Sequence, residues 1–461
     1  MPDLYDVAIV GAGPAGIFAA LALSQTSGRR ILLLEAGPGL EQRTCPARDR
    51  HIPCIHCNPC RLTSGWGGSG AFSDGKLTLS SAVGGHLAEL VGEERTAALI
   101  EQVDKLFQQY GDTGPVYGMR SDATEDWQKR AALAGLRLVD SPVRHIGTER
   151  TRGILAAMRA ALDERGVEIR TNSPVASVLT DNGSVAGLVL ANGTQVAAKT
   201  VLVAPGRSGA DWLRRLAGQI GLSLARNPVD LGVRVELPAP VMEPLTSVLY
   251  EPKLVYYSER FDDKVRTFCV CPYGEVVTER AAGVTTVNGH SYAERRTANT
   301  NFAILVSKTF TDPFDDPLAY GQSVARLANL LGNGVLVQRL GDLEQGRRST
   351  RERLSHGIVE PTLREATPGD LGLVFPYRHL VDILELIYAL DRLTPGVASR
   401  HTLLYGVEAK FYSSRLRLSE HLETEVHNLF AAGDGAGITR GLVQAAASGL
   451  LAAEGIEARL R

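Results

Sequence analysis

The stretch YDVAIVGAGPAGIFAALALS, residues 5–24, constrains the fold of this chain more than any other. YDVAIV is a short apolar run with β-branched residues and reads as a buried strand. GAGPAG follows at once, and the Ala- and Leu-rich run after it reads as a helix. A strand that turns straight into a helix leaves the first helical N–H groups unpaired and facing the turn. Each small residue then has a task. Gly11 permits the tight turn, Gly13 and Ala15 let the backbone approach a pyrophosphate, and Gly16 lets helix and strand pack closely. RRILLLE reads as a second buried strand that ends on Glu35. That carboxylate can accept hydrogen bonds from a ribose diol and would repel a 2′-phosphate.

The bulk numbers fit a globular chain with room for two domains: 461 residues, 44% hydrophobic and 22% charged. Lys and Arg number 49 against 51 Asp and Glu, a balance that offers no field for nucleic acid or an anionic membrane surface. The opening MPDLYDVAIV carries acids where a secretory signal has a basic region, and no run is long and apolar enough to span a bilayer. The expected compartment is the cytoplasm, where thiols stay reduced. Six cysteines there argue against a disulfide framework and for metal binding, redox chemistry or packing.

The far end of the chain decides which dinucleotide is expected. VHNLFAAGDGAGITRGLVQAAASGLLAA, residues 426–453, reads as strand, Gly-Asp turn and small-residue helix. It resembles the C-terminal signature of FAD-binding proteins built on the glutathione-reductase plan. By that resemblance Asp434, after Gly433, binds the ribityl chain. A helix starting near Gly437 and Ile438 would aim its N-terminus at the pyrimidine end of the flavin, where negative charge gathers on reduction. Between the two ends, residues 167–209 read as a β-hairpin returning to a strand and a turn at Gly206. In the same superfamily this region closes over the adenine, with Val175 beside the ring.

GWGGSGAFSDGKLTLS (65–80), TFCVCPYGEVV (267–277), TTVNGHSYAER (285–295) and the GDGAGITRGL tail together resemble a bacterial family described as uncharacterised FAD-dependent dehydrogenases. That family lies in the larger set of two-domain FAD enzymes that includes geranylgeranyl reductases. The resemblance runs over nearly the whole chain and implies fold and cofactor, but no substrate. The fold is α/β: a discontinuous Rossmann-like FAD-binding domain, 1–226 with 401–461, and an inserted mixed β-sheet substrate or cap domain, 227–400. The resemblance sets Gly67, Gly68 and Ser69 against the flavin, with Ser73, Asp74 and Lys76 as polar groups beside it. Lys76 near the pyrimidine edge would stabilise reduced flavin.

No second GxGxxG follows a strand, so no separate NADPH domain is expected. The electron source is then the substrate itself, a ferredoxin-like carrier, or NAD(P)H binding transiently. In the middle block Cys269 and Cys271 stand two apart on a strand and face one side, as core fillers or as redox groups. Tyr273, His290, Tyr292 and His356 are candidate proton donors.

Four of the six cysteines crowd one loop: Cys45, Cys54, Cys57 and Cys60. CxxCxxC with a distant Cys-Pro is how ferredoxins present thiolates to a [4Fe-4S] cluster. Structural zinc is the second reading, with His51 and His56 as substitute ligands, and reduced or disulfide-forming thiols are the third. The expected activity is an FAD-dependent oxidoreductase acting on a small organic substrate, as a dehydrogenase or double-bond reductase. Alternatives are an FAD monooxygenase and a redox-sensing or electron-transfer flavoprotein.

Overall fold

The computed structural model describes residues 4–461 apart from 47–54, 56, 74, 112, 226, 282, 292–294, 311, 312, 315 and 412–414. The chain forms two compact units. The first takes Met1–Pro115, Arg144–Ala225 and Ser413–Arg461, and the second takes Val116–Val143 and Arg226–Tyr412.

The first unit is built on a parallel sheet. Its order is Glu168–Arg170, Ile31–Leu34, Leu4–Val10, Gln195–Val203, with Leu429–Ala431 beside the end of the last. Ile31–Leu34 is buried at every position, as a parallel strand covered on both faces must be. Val175–Asp181, Ser184–Leu190 and the start of Gln195–Val203 add an antiparallel meander. The helix Pro14–Leu23 packs along the C-terminal helix Leu442–Leu460. Small residues let the two backbones touch: a Cβ on Gly449 would fall 2.1 Å from the Ala15 carbonyl oxygen.

The second unit is an eight-stranded sheet among the described residues. From the middle outwards, Val229–Pro238 lies between Leu403–Lys410 and Asn299–Lys308, and Lys264–Cys271, Lys253–Tyr257 and Arg137–Val139 follow on one side. Every pairing is antiparallel except Leu336–Arg339 with Thr367–Pro368, which makes the sheet mixed. Alternation gives it two unlike faces. Leu231, Val233, Val235 and Leu237, with Phe302, Ile304 and Val306, form a dry core with the helices Ala239–Leu249 and Tyr377–Leu393. The opposite positions are Asp230, Arg234 and Glu236, paired across to Ser307, Ala303 and Asn301. The hairpin Glu275–Ala281 and Val284–His290 comes down on this polar face, where a Cβ on Gly289 would fall 1.7 Å from the Arg234 guanidinium.

Boundaries expected at 226/227 and 400/401 leave residues 116–143 in the first unit. The structure groups them with the second, because Arg137–Val139 pairs with Lys253–Tyr257. No described helix is long and apolar enough to cross a membrane.

Candidate functional site

The first unit brings four glycine-rich turns together. Gly11 has φ +104° and lies where a Cβ would meet the Ala204 carbonyl oxygen at 2.2 Å, so the first strand and the turn after Val203 cross with no room for a side chain. A Cβ on Gly16 would stand 1.9 Å from the Gly11 carbonyl oxygen, which fixes the tight strand-to-helix turn. Gly13 caps the helix and Pro14 occupies its first position, where the missing N–H costs nothing. Gly67 donates its N–H to the Ala12 carbonyl at 2.7 Å, and a Cβ on Gly68 would lie 3.0 Å from the Gly13 Cα. Ser69 sits in the 3-10 turn Gly68–Phe72 that follows. From the C-terminal end, a Cβ on Gly433 would lie 3.1 Å from Ala15 Cβ, and one on Gly435 would lie 2.7 Å from the Gly206 carbonyl oxygen. Turns 11–16, 65–70, 204–209 and 433–437 therefore share one place.

Glu35 ties two of these turns to its own. Its Oε2 accepts from the Ala12 N–H at 2.8 Å, and its Oε1 accepts from the N–H groups of Gly37 and Gly65, each at 2.8 Å. An ionised carboxylate has about four acceptor sites, so about one stays open for a ribose hydroxyl. Ser173 N–H donates to the Glu35 carbonyl at 2.8 Å, which sets Val175, at the start of its strand, on the same side of the unit. A cavity of about 550 Å³ adjoins this corner, lined in part by Pro38, Gln42, Cys57, Arg61 and Asn172.

Sequence reasoning missed Arg43. It is wholly buried and donates to the carbonyls of Arg61 at 3.0 Å, Leu62 at 2.7 Å, Trp66 at 2.6 Å and Gly68 at 2.7 Å. Burial pulls its pKa down to about 10. One guanidinium thus gathers the whole 61–68 loop and presents Gly67 and Gly68 to the phosphate turn. Nothing in EQRTCP signals this, because all of its hydrogen-bond acceptors are backbone carbonyls.

Asp434 accepts from the Thr439 hydroxyl at 2.8 Å and lies 3.8 Å from the Arg207 guanidinium. Burial raises its pKa, with Arg207 opposing. The expected helix near Gly437 and Ile438 starts later. The last helix is Leu442–Leu460, because Gly437 at φ +75° and Gly441 at φ +117° are left-handed and cannot continue a right-handed helix. Ile438 is buried, and its carbonyl accepts the His86 N–H at 2.7 Å.

Of the expected catalytic groups, Ser73 is occupied locally: its hydroxyl donates to the Gly70 carbonyl at 2.9 Å. Lys76 opens the strand Lys76–Thr78 and is half-buried. Asp74 lies outside the described residues, as do Cys54, His51, His56 and Tyr292. Tyr273 and His290 belong to the second unit. The Tyr273 hydroxyl donates to the Glu243 carboxylate, and that bond raises its pKa. His290 ends its strand opposite Glu275, and its carbonyl oxygen lies 2.4 Å from where a Cβ on Gly274 would stand. His356 is exposed at the end of the short helix Arg351–Ser355.

Cys45 and Cys57 are half-buried and Cys60 is exposed. Among the described residues no three His, Cys, Asp or Glu side chains gather as a metal site.

The turns at 11–16, 67–70 and 433–437 and the Glu35 carboxylate fit a dinucleotide. Comparison with known proteins agrees. Residues 9–44 match the model of an NAD(P)-binding Rossmann-like domain, and residues 81–228 match an FAD-binding domain. Residues 229–411 match the model described as FAD-dependent protein, C-terminal domain-like. The chain carries an FAD-binding domain. Its tail, residues 365–461, also matches the model for glucose inhibited division protein A. No curated protein matches the chain. Among solved structures it is similar to glycine oxidase from Geobacillus kaustophilus, at 15% identity over 99% of this chain and 95% of that one, TM-score 0.39. L-proline dehydrogenase from P. horikoshii is similar at 12% identity, over 100% and 95% of the chains, TM-score 0.40. A 3-ketosteroid-Δ4-(5α)-dehydrogenase from Rhodococcus jostii RHA1 follows at 14% identity, over 98% and 96%, TM-score 0.44. Likeness at this level carries no argument about substrate.

Proposed function

We propose that this flavoenzyme moves hydride between FAD and a small organic substrate, as a dehydrogenase or a carbon–carbon double-bond reductase. The observation that carries the reading is the build of the second unit. A resident nicotinamide domain needs a strand, a glycine-rich turn and a helix on a parallel sheet. The second unit has an antiparallel sheet with one parallel pair. That build supports the reading in which the electrons come directly from the substrate, or from a donor that visits: NAD(P)H or a ferredoxin-like carrier.

When bound, FAD supplies the hydride acceptor or donor at its N5. Gly11, Gly13, Ala15 and Gly16 would hold its pyrophosphate, and Glu35 its ribose. Asp434 with Gly433 would take the ribityl chain, and Val175 would lie beside the adenine. Gly67, Gly68, Ser69, Gly206, Gly437 and Ile438 would complete the walls. Lys76 is the cation proposed to face the reduced ring. Ser73, Asp74, Tyr273 and His290 are the acid–base candidates. Kinship to geranylgeranyl reductases and a cytoplasmic location are proposed with it. The loop of Cys45, Cys54, Cys57 and Cys60 is proposed as an electron relay holding a [4Fe-4S] cluster, with zinc as its structural alternative. Iron, sulfide and zinc per FAD, in protein purified without oxygen, separate these readings.

Anaerobic mixing of the oxidised holoprotein with amino acids, hydroxy acids, isoprenoid alkenes, NADH, NADPH and reduced ferredoxin tests the function, read as flavin absorbance. Bleaching by an organic substrate alone, or re-oxidation of reduced flavin by an alkene, supports the proposal. Substrate-dependent NAD(P)H and oxygen consumption would make the protein a monooxygenase. Reduction by ferredoxin alone, with no substrate turning over, would make it an electron-transfer flavoprotein.

A further inference from the structure

The strand Lys264–Cys271 loses register with Asn299–Lys308 between Phe268 and Cys271, and Cys269 sits at this bulge with φ +44°. In a regular strand, alternate Cα atoms stand roughly 6.5–7 Å apart, at the outer limit for a disulfide. Here the kink brings the Cys269 and Cys271 sulfurs to 3.9 Å. Cys271 is fully buried, while Cys269 is only partly covered.

A cation is fixed on the buried sulfur. Arg234 Nη2 donates to Cys271 Sγ at 3.3 Å and to the Cys269 carbonyl at 2.7 Å, and Arg234 Nε donates to Asn301 Oδ1 at 2.8 Å. Arg234 is wholly buried and 3.5 Å from Glu408. Burial alone would lower its pKa, but Glu408 and the two cysteines hold it above its ordinary value. Gly289 closes over the guanidinium, so no bulk solvent competes for it. A buried guanidinium on sulfur favours the thiolate, the reactive form of cysteine.

We propose that Cys269 and Cys271 are a redox dithiol, oxidised by a hydroperoxide to an intrachain disulfide and returned by a small dithiol. The Cys269 thiolate attacks the peroxide O–O bond. That bond breaks, Cys269 becomes a sulfenic acid, and the leaving oxygen takes a proton and departs as water when the oxidant is hydrogen peroxide. The Cys271 thiolate, held by Arg234, then attacks the Cys269 sulfur. The S–S bond forms, the S–O bond breaks, and hydroxide leaves as a second water. Two thiols lose two electrons and two protons, and one peroxide takes them up. Reduction runs the reverse course by thiol–disulfide exchange, the dithiol leaving as its own disulfide.

The test uses the full-length, FAD-loaded protein exposed to hydrogen peroxide, then to an alkylating agent in denaturant, which reaches buried Cys271, then to trypsin. Cleavage after Arg266 and Arg280 gives one peptide, residues 267–280, whose only cysteines are this pair. After peroxide the peptide is expected without alkyl groups and lighter by two hydrogens, and dithiothreitol restores two alkylation sites. In Cys271→Ser, Cys269 stops at the sulfenic acid and is captured by dimedone. In Cys269→Ser, Cys271 stays reduced. Full alkylation of the wild-type pair, under peroxide that oxidises exposed Cys60, would overturn the proposal. So would oxidation of Cys271 in Cys269→Ser at the wild-type rate.

Discussion

Two single residues hold the cradle of the first unit. A methyl group on Gly11 meets a carbonyl oxygen at 2.2 Å with φ at +104°, so strain and overpacking both act. Gly11→Ala is expected to lose roughly 2–6 kcal/mol of stability. Thermal unfolding and retained flavin read this, and a variant with wild-type melting would remove the crossing argument. Arg43 works the other way, through what it donates. Arg43→Met would leave buried carbonyls of Arg61, Leu62, Trp66 and Gly68 unpaired, at roughly 1–3 kcal/mol each where water cannot reach them. Arg43→Lys should rescue little, since an ammonium has three donors and no fork. Hydrogen exchange in residues 61–68 is expected to rise sharply in both variants. The two residues differ in how they showed in sequence. Gly11 lies in a motif whose spacing states its role, whereas Arg43 satisfies scattered carbonyls that only the folded loop brings together.

At the scale of elements, the strands of the first unit were legible because a buried parallel strand must be an unbroken apolar run, as Ile31–Leu34 is. The start of the last helix was not, since the small-residue run reads as helical through Gly437 and Gly441 until their left-handed backbone is seen. The strand with both central cysteines was read as regular, and the bulge at Cys269 altered how its two thiols meet. Residues 116–143 were placed in the wrong unit because strand pairing over such separations leaves no local trace. The helix Tyr377–Leu393 carries a pH prediction. Burial lowers the pKa of His379 to about 4, with Lys308 and Arg378 adding to the effect and Asp263 opposing it. The folded state keeps this imidazole neutral, while the unfolded chain protonates it near its ordinary value. The contribution of His379 is therefore present above pH 6.5 and lost as pH falls towards 4. Asp382, on the same helix, is raised to about 6 by burial and pulls the other way. The clean readout is the difference between proteins: His379→Leu should gain on the wild type by about 3 kcal/mol from pH 6.5 to 4. Denaturant unfolding at several pH values measures it, and a difference independent of pH would contradict the buried neutral histidine.

Over the whole molecule, one chain supplies the cradle from both of its ends, with the second unit drawn mainly from between them. A ligand that needs residues 11–16 and 433–437 at once stabilises only the folded first unit. Free FAD at 100 times its dissociation constant should add roughly 2.7 kcal/mol to that unit. Removal of FAD should lower its melting temperature, and an apoprotein that melts with the holoprotein would mean that the flavin sits elsewhere. The most direct test of the account is the flavin itself: its identity and amount per chain, released from purified wild type and from Asp434→Ala. The account predicts a single FAD per wild-type chain and loss of most of it in the variant, with the fold kept by circular dichroism. A wild type that carries no FAD, or a folded variant that keeps all of it, would contradict the central claim.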